Sequence, residues 1–144
     1  MGAIAINFFS EETNFKPKQV KALRNWILNS IETEKHQLLE LNFIFCSDDY
    51  LLQINKEYLN HDTYTDTVTF DNSETKGKIL GDIFISIDRI RENAKTFKTS
   101  TKDELHRVMI HSTLHLLGYK DKSTKDKNLM TAKENEYLVL RGFY

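Results

Sequence analysis

Two periods alternate along the chain, and the switches between them mark out strands and helices. Ala3–Phe9 (AIAINFF) is apolar and β-prone, which predicts a first strand. Pro17 suits the first turn of a helix, and Val20, Leu23, Trp26, Ile27 and Ile31 follow it at helical spacing. Leu39–Cys46 (LELNFIFC) alternates and predicts a second strand. Asp48–Tyr58 opens on two acids and carries Leu51, Leu52, Ile54 and Tyr58, a short helix. Thr65–Asp71 and Leu80–Ile87 are β-branched and aromatic, two further strands separated by the polar loop Asn72–Lys78. The last third is helical. Asp88–Phe97 predicts one helix, and a capping box at Thr101 and Glu104 starts another that runs to Leu117 and stops at Gly118. Ser123 with Asp126 starts a final helix to about Leu140. The order β-α-β-α-β-β-α-α-α predicts an α+β fold: one domain over residues 1–144, with a mixed four-stranded sheet packed with helices.

Composition narrows the class. With 144 residues, 40% apolar and 28% charged, the chain has the make-up of one ordinary soluble domain. No apolar run approaches the roughly 20 residues that span a bilayer, and the first ten residues lack a basic, then apolar, secretory signal. Cys46 is the only cysteine, so an intramolecular disulfide is excluded and a reducing cytoplasm is the expected location. The net charge of −1 conceals an asymmetry. Arg89–Lys127 holds ten Lys/Arg against five Asp/Glu, a local excess that either attracts a polyanion or is a solvated face.

The chemistry concentrates in Ile110–Asp121 (IHSTLHLLGYKD). His111 and His115 lie four apart on a predicted helix, so both imidazoles leave one face a turn apart. That spacing lets two ring nitrogens meet one metal ion, as on the metal helix of zinc metalloproteases. Gly118 can end the helix in a left-handed turn and let the chain double back, and Asp121 can then offer a carboxylate oxygen as third ligand. Two histidines and a carboxylate leave a position open for water, the layout of a catalytic zinc site. Ser112 stands where such peptidases place their glutamate base, so peptidase chemistry lacks its proton acceptor. His106, five residues before His111, points elsewhere on the helix, and His61 falls in a loop.

The stretch His111–Asp121 resembles the histidine motif of the YbeY family of bacterial rRNA maturation factors, H-G-x-L-H-L-x-G-Y-D-H. Asn55-Lys56-Glu57-Tyr58, Thr65-Asp66-Thr67-Val68-Thr69-Phe70 and Leu80-Gly81-Asp82-Ile83 resemble further family segments, in the same order and spacing. The resemblance implies a zinc-dependent, single-strand-specific endoribonuclease acting in ribosomal RNA processing and ribosome quality control. It also implies an α+β fold with the metal at one end of a groove. His111 and His115 fall on the first two ligands, and Asp121 on the third, usually a histidine. Ser112 replaces a glycine, Lys120 an aspartate, and Leu59 stands where the family carries an arginine.

The expected partners are therefore ribosomal RNA and the small ribosomal subunit, with neither DNA nor membrane. The catalyst would be the water on the open metal position. Lys98, Lys102, Lys120, Lys122 and Lys125, with Lys95 and Lys127 beside them, would hold the RNA backbone. Arg107, one turn before His111, either supplies the cation missing at Leu59 or pairs with Asp103. Two other readings stand beside this one: a non-catalytic ribosome-assembly factor with a structural metal, and a metallopeptidase.

Overall fold

A computed structural model describes residues 5–143. Strands β1 (Ile6–Glu11), β2 (Gln37–Cys46), β3 (Thr67–Asp71) and β4 (Lys78–Ser86) form one sheet in the order β1-β2-β4-β3. β1, β2 and β4 run parallel, with Ile6 opposite Leu41 and Phe43 opposite Ile83. β3 returns antiparallel to β4, placing Val68 opposite Phe84. The helices are α1 (Val20–Thr33), α2 (Asp48–Leu59), α3 (Ile87–Thr96), α4 (Thr101–Leu116) and α5 (Thr124–Val139). The α+β architecture and the element order are those expected from the pattern.

Strand alternation decides what each sheet face carries. Phe43, Phe45, Ile83 and Ile85 point to one face and build the main core with Leu23, Ile27 and Ile31 of α1 and Met109, Ile110 and Leu114 of α4. Val68 and Cys46 join Leu51 of α2 in a smaller cluster, packed by Tyr50, Phe70 and Phe84. Helix α4 is therefore central, and its C-terminal end crosses the sheet at Gly81. A Cβ at Gly81 would lie 2.6 Å from the Phe70 carbonyl oxygen and 3.2 Å from a Leu116 methyl. Only glycine admits that approach, which seats the end of α4 beside β3 and β4. The buried Ser112 hydroxyl bonds to Thr67 Oγ1 (3.1 Å), tying helix to strand.

The element ends shift where a local group overrides the pattern. α1 starts at Val20, because Gln19 adopts a left-handed conformation (φ 57°) that stops the helix reaching back to Pro17. The T-x-x-E box does not cap α4. Ser100, one residue earlier and extended, accepts from the Asp103 amide (3.0 Å), while Glu104 is buried. β1 continues through Ser10 and Glu11 because it pairs along β2 as far as Cys46. The predicted start at Ala3 lies outside the described residues. Ser123 caps α5 as expected, accepting from the Asp126 amide (3.0 Å).

Candidate metal centre

The site begins with how α4 ends. Gly118, at φ +105°, donates to the His115 carbonyl, and the Tyr119 amide donates to that of Leu114, both at 3.0 Å. This paired arrangement is a Schellman turn, and it sends the chain back over the last helical turn. Tyr119 is then fixed from two sides. Its carbonyl accepts from His115 Nδ1 (3.1 Å), and its hydroxyl donates to Glu34 at the end of α1 (2.7 Å). Tyr137 of α5 also donates to Glu34, and Lys133 pairs with it at 3.5 Å. The return loop is thereby clamped between α1 and α5, and Asp121 comes to rest over the two imidazoles.

Three donors converge. His111 Nε2 and His115 Nε2 are 3.1 Å apart, and Asp121 Oδ2 lies 3.6 Å from the first and 3.4 Å from the second. A tetrahedral ion with bonds of roughly 2.0–2.1 Å has ligand–ligand edges of about 3.3–3.4 Å, so this triangle has the size of one face of that tetrahedron. The other ring nitrogens agree. His111 Nδ1 donates to Glu134 Oε2 (2.5 Å) and His115 Nδ1 to the Tyr119 carbonyl, which leaves both Nε2 lone pairs turned inward. Two lone pairs facing one another repel unless a cation or a proton lies between them. The group could therefore hold a metal ion.

Electrostatics point the same way. Burial by itself lowers the proton affinity of His111, but the Glu134 bond and charge, with Asp121 and Asp66, raise it above that of an ordinary histidine. Burial pushes the Asp66 carboxyl up, against the charges of His111 and Arg89 and the amides of Asp66 and Thr67. Burial also raises Glu104, Asp66 and Glu134 add to the effect, and Arg107 opposes it.

A groove of about 460 Å³ runs past these donors, lined by Asn55, Leu59, His61, Thr65, Asp66 and Thr67 among others. His111, His115 and Asp121 sit in its wall. Leu59 and the loop histidine His61 thus face the site. Arg107 does not. Its guanidinium bonds Glu134 (2.8 Å) and Asn135 (2.8 Å) on α5, while Asp103 pairs with Arg141 (2.9 Å) instead. His106 is buried between Trp26 and Phe143, and burial with the Arg141 charge brings it down to about 4. Cys46 is buried at the end of β2 and pushed up to about 12, which removes it as a nucleophile.

The expected RNA-binding lysines lie outside the lining of the groove. Lys120 and Lys122 flank Asp121 and are exposed, and Lys125 is exposed on α5. Lys98 precedes α4 and Lys102 lies in its first turn; the latter is nine residues before His111, about 13–14 Å along the axis. None of the five lines the groove. Glu134 escaped the sequence reading altogether. Its signal was an acid between Met130 and Tyr137 on the buried stripe of α5, a position that calls for a partner.

The sequence profile of the family described as Endoribonuclease YbeY matches residues 5–141. A Cytophaga hutchinsonii protein named Endoribonuclease YbeY is 56% identical over 138 residues, covering 96% of each chain. One of the same name from Flavobacterium psychrophilum is 50% identical, covering 92% of this chain and 94% of its own. The solution structure of a Thermotoga maritima protein superposes with a TM-score of 0.68 at 26% identity, covering 94% of this chain and 88% of that one. With these matches running from β1 to the end of α5, the chain belongs to the YbeY endoribonuclease family.

Proposed function

We propose that this protein is a metal-dependent endoribonuclease that cleaves single-stranded RNA in the groove beside His111, His115 and Asp121, with ribosomal RNA at the small subunit as its substrate in the cytoplasm and zinc as its ion. The observation that carries the reading is the convergence of the three donors, each imidazole oriented by a bond at its far nitrogen, in a chain of this family. His111, His115 and Asp121 would hold the ion, which supplies Lewis-acid polarisation of a phosphate oxygen and an acidified water. Glu134 holds the His111 ring in the tautomer that turns Nε2 inward, and the Tyr119 carbonyl does the same for His115. Asp66 lines the groove, lies outside the donor triangle and has a carboxyl of raised proton affinity, so it is the group placed to take a proton during cleavage. Ser112 has no such role, since its hydroxyl is buried against Thr67.

The test is incubation of zinc-loaded protein with a structured RNA and with a denatured protein substrate, beside a His115→Ala control. Cleavage in unpaired RNA segments, lost in the control, is the expected result. Proteolysis would support the peptidase reading, and RNA binding without cleavage the assembly-factor reading.

A further inference from the structure

A groove that receives a phosphodiester chain needs a cation, yet among the described residues lining it there is no lysine or arginine, and there are two carboxylates. Arg89 reaches the back of this wall from the first turn of α3. The Ser86 amide before α3 donates to the Asp66 carbonyl (2.9 Å), and the Arg89 charge acts on the Asp66 carboxylate. The guanidinium bonds Asp48 (2.6 Å) and lies over the ring of Tyr64, 5.7 Å from its centroid. Its Nε is buried with no hydrogen-bond partner among the described residues, so the side chain is not placed to maximise its own bonding.

Tyr64 is the exposed member of the pair. The residue is 52% exposed although its ring is held from two sides, by Arg89 on a face and by Asp49, which accepts from its hydroxyl at 3.3 Å. Thr63 and Thr65, on either side of it in the chain, line the groove, so Tyr64 belongs to the segment that borders it. A fixed aromatic face with a cation behind it matches an unpaired nucleotide, which offers a base to stack and a phosphate to pair.

We propose that Tyr64 and Arg89 form a nucleotide clamp at the edge of the groove, the open face of Tyr64 stacking on an unpaired base and Arg89 pairing with the adjacent phosphate. The clamp rests on the endoribonuclease reading and deepens it, because a base stacked inside a duplex is not available to Tyr64 and single strands are selected.

The experiment measures binding of the zinc-loaded protein to a 2′-O-methyl single-stranded oligonucleotide, which resists cleavage, by fluorescence anisotropy across a salt series. Tyr64→Leu should weaken binding by about 5–150-fold, the range set by roughly 1–3 kcal/mol per stacked base, while Tyr64→Phe stays within about threefold. A probe of equal length without bases should bind wild type and Tyr64→Leu alike. Arg89→Gln should reduce the slope of log affinity against log salt by about 0.7, one phosphate contact on a single strand. If that variant fails to fold, the double variant Asp48→Asn with Arg89→Gln leaves no unpaired carboxylate and takes its place. Binding by Tyr64→Leu within twofold of wild type, or an unchanged salt slope in the folded Arg89 variant, overturns the clamp. Wild-type protein that neither binds nor cleaves single-stranded RNA overturns the endoribonuclease reading with it.

Discussion

Glu134→Gln tests whether the ligand histidines are tuned from behind. Glu134 uses both carboxylate oxygens, Oε2 for His111 Nδ1 (2.5 Å) and Oε1 for Arg107 (2.8 Å), and its side chain is 9% exposed. Glutamine has one acceptor oxygen. Turned toward His111, it presents its amide hydrogens to the Arg107 guanidinium; turned the other way, it presents them to Nδ1–H. Either arrangement loses one bond and the negative charge that makes His111 a stronger base. Loss of such a partner typically costs about 10–100-fold in metal affinity, or roughly 1.4–2.7 kcal/mol. Competition titration of zinc against a chromophoric chelator reads this directly. The pH dependence adds a sign. Glu134 is the chief group raising the proton affinity of His111, so in wild type a proton competes with the metal more strongly at acid pH. The variant relaxes that competition, and the gap between the two proteins should be widest in alkaline buffer and narrow as pH falls. A variant that binds zinc within threefold of wild type at pH 8, or a gap that widens toward acid, would refute the reasoning.

Three further outcomes follow from the geometry. Asp66→Asn should retain zinc but lower kcat by about 10²–10⁴-fold and remove the acid limb of the pH–rate profile, as expected for a lost proton acceptor; unchanged kcat rejects that role. Ser112→Ala should lower stability by about 1 kcal/mol in urea titration, because Thr67 keeps its second bond to the Phe84 carbonyl, and should leave zinc affinity unchanged. His106 is neutral when folded, with its value brought from 6.5 to about 4, so the unfolded chain takes up the extra proton and stability is lost as pH falls through that window. The full effect is on the order of 3 kcal/mol, and His106→Gln should flatten this acid dependence in urea titrations from pH 4 to 7.

The fold was legible because most of its elements carry one clear period. The strands are β-branched or aromatic, α1 has a clean apolar stripe, the start read at Thr101 lies one residue from the actual cap Ser100, and Ser123 caps α5 as read. The candidate metal centre was legible for a different reason: His111, His115, Gly118 and Asp121 are near neighbours in the chain, so helix geometry and one turn determine their meeting. What lay beyond reach depends on contacts distant in sequence. Glu134 meets His111 from 23 residues away, Glu34 meets Tyr119 from 85, and the Arg89–Asp48 pair spans 41. Arg107 shows the limit from the other side. Helical spacing offered it Asp103, but α5 packs alongside and supplies an acid and an amide, each at 2.8 Å.

Charge explains why these distant partners belong together. Asp66, Glu104, Asp121 and Glu134 act on one another or on His111, and Arg107 is the cation bonded within the group. Burying carboxylates is unfavourable: burial raises the proton affinities of Asp66 and Glu104, and at Glu104 the charges of Asp66 and Glu134 add to it. Proteins do not hold such an excess for stability alone, since apolar side chains of similar volume would fill the space at lower cost. A divalent cation at the His111–His115–Asp121 triangle removes two units of the excess at the point where the two lone pairs already face each other. The same cation draws the next negative groups, phosphate oxygens, into a groove whose lining would otherwise repel them. The described lining offers two carboxylates and no lysine or arginine, so a bound ion would supply the positive charge that a phosphate needs there. Metal binding and substrate binding are then coupled through one electrostatic field, and Asp121 sets its strength, because a carboxylate in place of a neutral third ligand cancels one unit of the ion's charge.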